Sequence, residues 1–361
     1  MTASSIQPIF PIEGDVLHAR DGIQTAEGLS FTAKVKAAAG SLITINGVAA
    51  TEEDGQFVAH LVLREYRNII RIQDAKTGDE LSFPVYWASQ FAGKYRLSID
   101  DNIRFMQDIA ENANAYSSIF DNAYLGGLLQ LHKQYGTKVH LNLFYMSVEG
   151  DFSLSSFPEK FRAEWAEQAD WIRLSFHAYQ EFPDAPYKNA SFETVKKDCD
   201  LVLREINRFA GNSLTGPVTT IHWGEVNIEG SRALRAAGYK GQLGYFNVDD
   251  DLPPVSYYLS VEQRRNMKKR FIWKDEQEDI IFIRSSVVVD RKAKDELVPF
   301  LNAYREQGGL PPYVDFLVHE QYYYPDYVAY QPDYFEKLET VVKWATEQGY
   351  SPAFLDECIF N

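Results

Sequence analysis

Covalent cross-linking has little to work with in this chain. Of 361 residues only two are cysteine, Cys199 and Cys358. They lie far apart and neither belongs to a Cys-x-x-Cys pair. That excludes a zinc ribbon or dithiol redox motif and predicts two free, buried thiols. Basic residues are also in short supply: 36 Lys and Arg against 51 Asp and Glu give a net charge of −15. Phosphate backbones are bound by clustered cations, so this balance argues against a nucleic-acid partner. No apolar run approaches the roughly 18 residues that cross a bilayer, so no membrane partner is expected. The opening Met-Thr-Ala-Ser-Ser-Ile-Gln-Pro lacks the basic start and apolar stretch of a secretory leader. The expected location is the cytoplasm by default, or the periplasm or exterior if a leader was removed. Internal repeats and low-complexity linkers are absent, and the sequence leaves the oligomeric state unknown.

What the chain does have is an apolar fraction of 45%, enough for a sizeable core, and many aromatic residues: 22 Tyr, 23 Phe and 6 Trp. Aromatic faces pack cores and also stack on sugar rings, so a carbohydrate partner fits. Residues 1–90 read as β. Phe31–Lys36 and Ser41–Ile45 alternate, and Asn46-Gly47 follows as a turn signal. Gln56–Leu63, Asn68–Ile72 and Leu81–Trp87 continue the pattern. Short strands at regular spacing predict an antiparallel sandwich. The run from Ile43 to Glu80 resembles the immunoglobulin-like modules appended to bacterial carbohydrate enzymes. No convergent catalytic groups lie here, and His18 and His60 read as structural.

From residue 91 to 361 strands alternate with helices. The strand candidates are Tyr95–Ile99, Lys138–Tyr145, Ile172–Phe176, Val218–Ile221, Gln242–Phe246, Ile280–Val289 and Val314–Val318. Short apolar strands of this kind suit a parallel sheet covered on both faces. Helices are predicted over Phe157–Ala169, Phe192–Phe209, Ser231–Ala237, Lys294–Arg305 (stopping before Gly308-Gly309) and Pro332–Glu347. The fold class is therefore α/β, a (β/α)7-type distorted barrel behind an all-β domain. Asp249–Asp279, with Pro253-Pro254 and a basic patch from Arg264 to Arg270, reads as an insertion near a rim.

Chemistry-bearing residues gather at the strand ends. Asp100 and Asp101 follow the first strand, where two adjacent carboxylates are costly to bury without a cation or a shared proton. His177, His222 and His319 each end an apolar strand and precede a polar turn. Four such ends on one rim point to a metal or acid–base site. Imidazole and carboxylate together suit Zn2+ and other first-row divalent ions, with Co2+ and Ni2+ as alternatives. A spare carboxylate would serve as base and a spare histidine as acid. Trp223, Tyr322 and Tyr179 lie beside these ends, with Phe182, Tyr323, Tyr324 and Tyr327 close by, and are the expected sugar-binding rings.

The segment from about residue 94 onward resembles the polysaccharide deacetylase superfamily, also described as NodB-homology or carbohydrate esterase family four. Arg96-Leu97-Ser98-Ile99-Asp100-Asp101-Asn102 is similar to its first motif, a strand ending Thr-Phe-Asp-Asp-Gly. That resemblance implies Asp100 as general base and Asp101 as metal ligand. Arg173–Glu181 resembles the second motif and implies His177 as ligand; Phe316–Glu320 resembles the fifth and implies His319 as catalytic acid. The chain departs from the pattern at Glu181, which stands where a second histidine is usual, and the third motif is not recognisable. Thr219–Glu225 occupies that part of the order, so His222 is the expected third ligand, with Glu181 and Asp184 as rivals. Asn102 replaces the usual glycine and is expected to take its positive φ. The implied activity is metal-dependent deacetylation of an N- or O-acylated sugar. The alternatives are a glycoside hydrolase pairing Asp100 with Glu225 or Glu320, and a glycan-binding protein without catalysis.

Overall fold

A computed structural model describes residues 6–249, 253–306 and 311–360. The chain divides into two compact units. The first takes in 1–92, 272–279 and 357–361, and the second 93–271 and 280–356. Part of the stretch read as a rim insertion therefore belongs to the first unit, which a single division after residue 90 does not anticipate.

Two antiparallel-rich sheets build the first unit. One contains β1 (Gln7–Phe10), β3 (Ile23–Thr25), β4 (Gly28–Lys36), β7 (Thr51–Glu53) and β8 (Gln56–Leu63). The other contains β2 (Val16–Leu17), β5 (Ile43–Ile45), β6 (Val48–Ala49), β9 (Arg67–Asp74) and β10 (Glu80–Trp87). Strand alternation explains the pairing of these sheets. Phe31, Ala33, Val35, Phe57, Ala59 and Leu61 of the first share one buried cluster with Ile43, Ile45, Ile70, Ile72, Phe83 and Val85 of the second. Asn46 and Gly47 both take positive φ, 50° and 79°, as a tight hairpin turn between β5 and β6 requires.

The second unit is mixed α/β. β11 (Lys94–Asn102) lies between β12 (Val139–Phe144) and β19 (Tyr313–His319), all parallel. β13 (Ile172–Ala178) extends this sheet beyond β12, and β18 (Val287–Val288) beyond β19. A second parallel set comprises β14 (Val218–Thr219), β15 (Gly241–Gly244) and β17 (Ile280–Arg284). A single bridge, Leu174 to Thr215, links the β13 side to the approach to β14. β16 (Ile272–Asp275) counts with the first unit, and β20 (Ser351–Pro352) pairs with the start of β11.

The helices are α1 (Arg104–Glu111), α2 (Ala123–Tyr135), α3 (Arg162–Ala166), α4 (Phe192–Phe209), α5 (Ile228–Ala236), α6 (Val261–Arg270), α7 (Lys294–Glu306), α8 (Tyr334–Glu347) and α9 (Asp356–Ile359). α4 matches its predicted bounds because Ser191 accepts from the Thr194 N–H as a local cap. The long helix expected over Phe157–Ala169 is reduced to α3, preceded by 3-10 turns at Leu154–Ser156 and Glu159–Phe161. Pro158, between those turns, has no N–H to give a helix ladder. The Gly308-Gly309 stop lies outside the described residues. No helix among the described residues is long and apolar enough to cross a membrane.

β11 is buried on both faces and sorts its residues by alternation. Tyr95, Leu97 and Ile99 contribute to the apolar core. Arg96, Ser98 and Asp100 form a polar row on the other face. Arg96 is fully buried and donates to Asp315 Oδ1 at 2.7 Å and to His140 Nδ1 at 2.5 Å. Ser285 Oγ donates to the other Asp315 oxygen at 2.7 Å. Burial and the neighbouring Arg96 and Arg173 charges push His140 well below its ordinary range, which leaves it neutral and able to accept.

Candidate metal centre

The two adjacent carboxylates serve one site because the strand end is bulged. Ile99 pairs with Leu141 and Asn102 with Leu143, so three steps along β11 match two along β12. Asp101 sits at φ +62°, a left-handed conformation that Asp tolerates better than most residues. A regular strand would send neighbouring side chains to opposite faces. The expectation that Asn102 supplies the positive φ is corrected: that backbone role falls one residue earlier. Asn102 instead ties the bulge down, its amide donating to the Ile99 carbonyl at 2.6 Å and the Asn142 carbonyl at 2.9 Å.

Asp101, His177 and His222 converge. Asp101 Oδ1 lies 3.0 Å from His177 Nε2 and 3.1 Å from His222 Nδ1. The two ring nitrogens are 3.1 Å apart. All three residues are buried, and among the described residues they form a group able to hold a metal ion. The tautomers follow from the outer partners. His177 Nδ1 faces the Thr220 carbonyl at 2.5 Å, and His222 Nε2 faces the Glu181 carbonyl at 3.0 Å, so each donates its N–H there. In their neutral form both inner nitrogens then present lone pairs to the carboxylate oxygen, whereas a protonated ring gives Asp101 an inner N–H. Three mutually repelling acceptors at this spacing fit a cation. Phe144 closes the space behind, its ring 5.3 Å from His177 and 5.1 Å from His222.

Protonated rings hold Asp101 through those inner N–H groups. Burial alone would raise the Asp101 carboxyl, but the bonds from His177 and His222 carry it well below the ordinary carboxylate range. Burial works to lower His177, and the Asp100 and Asp101 charges outweigh it and raise the imidazole. Of the rival ligands, Asp184 is exposed and outside the group, and Glu181 contributes its backbone carbonyl. The half-buried Glu181 carboxyl is pushed up to about 7, first by desolvation and then by Asp101 and Glu149.

Asp100 and His319 sit opposite each other in the β11–β19 register. Burial raises the Asp100 carboxyl. Its Oδ1 accepts from the Asn142 amide at 2.6 Å, and Ser175 Oγ donates to Asn142 Oδ1 at 2.5 Å, which fixes the amide with its NH2 toward Asp100. His319 Nδ1 lies 2.6 Å from Asp290 Oδ2, which also accepts the His319 backbone N–H at 3.0 Å. Burial pulls against protonation, but Asp290 leads the charges that lift His319 to about 9.

The expected sugar-binding rings divide. Trp223 is exposed beside His222, its ring centroid 6.2 Å away, on a backbone at φ +65°. Tyr322 stands edge-on to His319 at 5.6 Å, and Tyr179 stacks on Tyr145 at 5.4 Å. Tyr323 and Tyr324 turn instead into an aromatic cluster around Tyr124. The rival catalytic carboxylates are occupied elsewhere. Glu320 accepts the N–H groups of Ile103, Arg104 and Phe105 at 2.7, 3.1 and 2.6 Å and the Tyr324 hydroxyl at 2.8 Å. It therefore caps α1. Glu225 pairs with Lys188 at 3.0 Å.

Three residues at the site carried no expectation. Asp290 follows the apolar Val287-Val288-Val289 run, so the strand-end rule that found the histidines also reaches it. Asn142 lies two residues beyond His140 in an otherwise apolar strand, which marks a polar inward face. Gln321, whose Nε2 donates to Asp101 Oδ2 at 2.8 Å, gives no sequence signal.

Fold and site thus define a mixed α/β protein with a buried Asp-His-His centre beside a second Asp and an Asp-supported histidine. The sequence matches no family model and no curated protein. Solved structures with similarity include a Mycobacterium smegmatis protein assigned as a polysaccharide deacetylase, at 13% identity and TM-score 0.41, over 73% of this chain and 94% of that one. Another is the 4-alpha-glucanotransferase of Thermococcus litoralis, at 11% identity and TM-score 0.46, over 74% of this chain and 40% of that one. A third is the carbohydrate deacetylase Agd3, at 8% identity and TM-score 0.42, over 94% and 68%.

Proposed function

We propose that this protein is a metal-dependent hydrolase acting on carbohydrate, and that its reaction is removal of an acyl group from an N- or O-acylated sugar or oligosaccharide. The observation that carries the reading is the inward convergence of Asp101 Oδ1, His177 Nε2 and His222 Nδ1, with both outer N–H groups committed to backbone carbonyls. These three residues would hold Zn2+, or Co2+ or Ni2+ in its place. A divalent ion there would supply Lewis acidity, polarising an acyl carbonyl and making a water more acidic.

The remaining groups divide the proton work. Asp100, held by Asn142 and with its carboxyl raised by burial, takes a proton from the attacking water. His319, kept protonated near neutrality by Asp290, gives a proton to the departing amine or alcohol. Trp223, Tyr322 and Tyr179 offer ring faces to the sugar. The same reading takes 91–361 as a distorted (β/α)7 barrel and 1–90 as an immunoglobulin-like module. Glycoside hydrolysis through Glu320 or Glu225 gains no support, since each is already bound to other groups.

The test has two stages. Elemental analysis of the purified protein should find one divalent ion, and His177→Ala and His222→Ala should each lose it. The loaded protein should then release acetate from acetylated glycans or aryl acetates. An ion-loaded protein that releases none, while still binding glycan with Asp100→Asn unchanged, would be a binding protein and not a hydrolase.

A further inference from the structure

The geometry points to Gln321 as a positioning residue that restricts Asp101 to a single ligating oxygen. This inference rests on the metal reading above and extends it to a side chain that no motif marks. Asp101 Oδ1 faces both imidazoles, whereas Oδ2 accepts from Gln321 Nε2 at 2.8 Å. The other reach of that NH2 is Tyr327 Oη, at 3.3 Å. Gln321 is itself buried, and its Oε1 has no partner. A filler side chain would not be expected to leave an acceptor stranded in the interior. The orientation is nevertheless compelled, because flipping the amide would set Oε1 against the Asp101 carboxylate.

The mount is rigid. Gln321 lies in the 3-10 turn Glu320–Tyr323 directly after β19. Its neighbour Glu320 binds three successive N–H groups beginning at Ile103, two residues past Asp101. His319, on the other side, is held by Asp290 and lies opposite Asp100. The turn carrying the ligand and the turn carrying the amide are therefore cross-tied on both sides of the Gln321–Asp101 bond. A carboxylate free at both oxygens can swing to chelate an ion with both. With Oδ2 held, Asp101 offers one, and positions stay open for water and substrate.

The probe is Co2+ alone, added to the full chain and to Gln321→Met and Gln321→Asn. Methionine keeps the side-chain length without the amide, and asparagine keeps the amide one methylene short. Circular dichroism first establishes that each variant is folded. Co2+ affinity should fall about 10- to 100-fold in both. The visible cobalt absorption should weaken as Asp101 chelates and the coordination number rises, a change that a purely structural role would not produce. Folded variants with the affinity and spectrum of the unaltered protein would overturn the inference and leave the metal reading standing. Failure of both variants to fold would overturn it in favour of a structural role. An unaltered protein that takes up no Co2+ would remove the metal reading and this inference together.

Discussion

Replacing Asp290 by Asn isolates the charge that supports His319. Asparagine keeps an oxygen for the ring and backbone N–H bonds, 2.6 and 3.0 Å long, while the negative charge disappears. His319 is lifted from 6.5 to about 9, with Asp290 the leading favourable cause and Asp101 and Asp100 behind it. At about 1.4 kcal/mol per unit, that lift corresponds to roughly 3 kcal/mol. The side chain is 25% exposed, so solvent screening brings the Asp290 share nearer to about 2 kcal/mol. The imidazole of Asp290→Asn should therefore titrate about one to two units lower, followed through its ring protons by NMR.

The sign is fixed by linkage. A raised histidine contributes stability that is fully present below 6.5 and is lost as pH rises through about 9. The urea stability of the unaltered protein should thus exceed that of Asp290→Asn most at pH 6, and the gap should narrow across this window. In turnover, the alkaline limb should move down toward neutrality as the acid loses its proton earlier. A bound dication lowers the imidazole in both proteins, so the difference between them carries the test. An unchanged His319 titration, or a stability gap independent of pH, would refute the reasoning.

Three further outcomes are expected. Asn142→Leu should lower kcat about 10- to 100-fold with KM and ion content unchanged, because Asp100 loses its 2.6 Å donor while the metal ligands keep theirs; wild-type kcat would count against Asp100 as base. Glu320→Gln should cost about 2–3 kcal/mol in denaturant unfolding, since an amide group replaces a carboxylate that accepts three N–H bonds of the α1 start; full stability would mean the cap is dispensable. Arg96→Met should cost about 3–5 kcal/mol by leaving Asp315 buried and unpaired, and adding Asp315→Leu should recover most of it; no recovery in the double variant would show that Arg96 acts through something other than this pair.

Sequence pattern reached the strand ends well and the elements between them less evenly. Asp100, Asp101, His177 and His222 are readable because an ionisable residue after an apolar strand is a local signal, and the parallel strands bring such ends to one side. α1 was not readable for the opposite reason. Its start has no local side-chain cap at Ile103, and the acceptor comes from Glu320, 217 residues away in sequence. α2 has both local signals, Asn122 at its start and Gly136 at φ +66° at its end, but Gly126-Gly127 weakens its interior pattern. That pair has a tertiary explanation at Gly127, where a Cβ would stand 2.4 Å from the Phe335 ring. The positive φ expected at Asn102 follows from its place where the resembled motif has glycine, and the bulge that moves it to Asp101 depends on β12, which the β11 sequence does not contain.

The outer anchors of the two imidazoles are the oxygens of Thr220 and Glu181, atoms that every amino acid carries. Aim is thus written in the path of the main chain, and the letters at 181 and 220 can drift without disturbing it. A centre built this way keeps its shape while its signature fades, and recognising others like it will require comparing where carbonyls point instead of which residues recur.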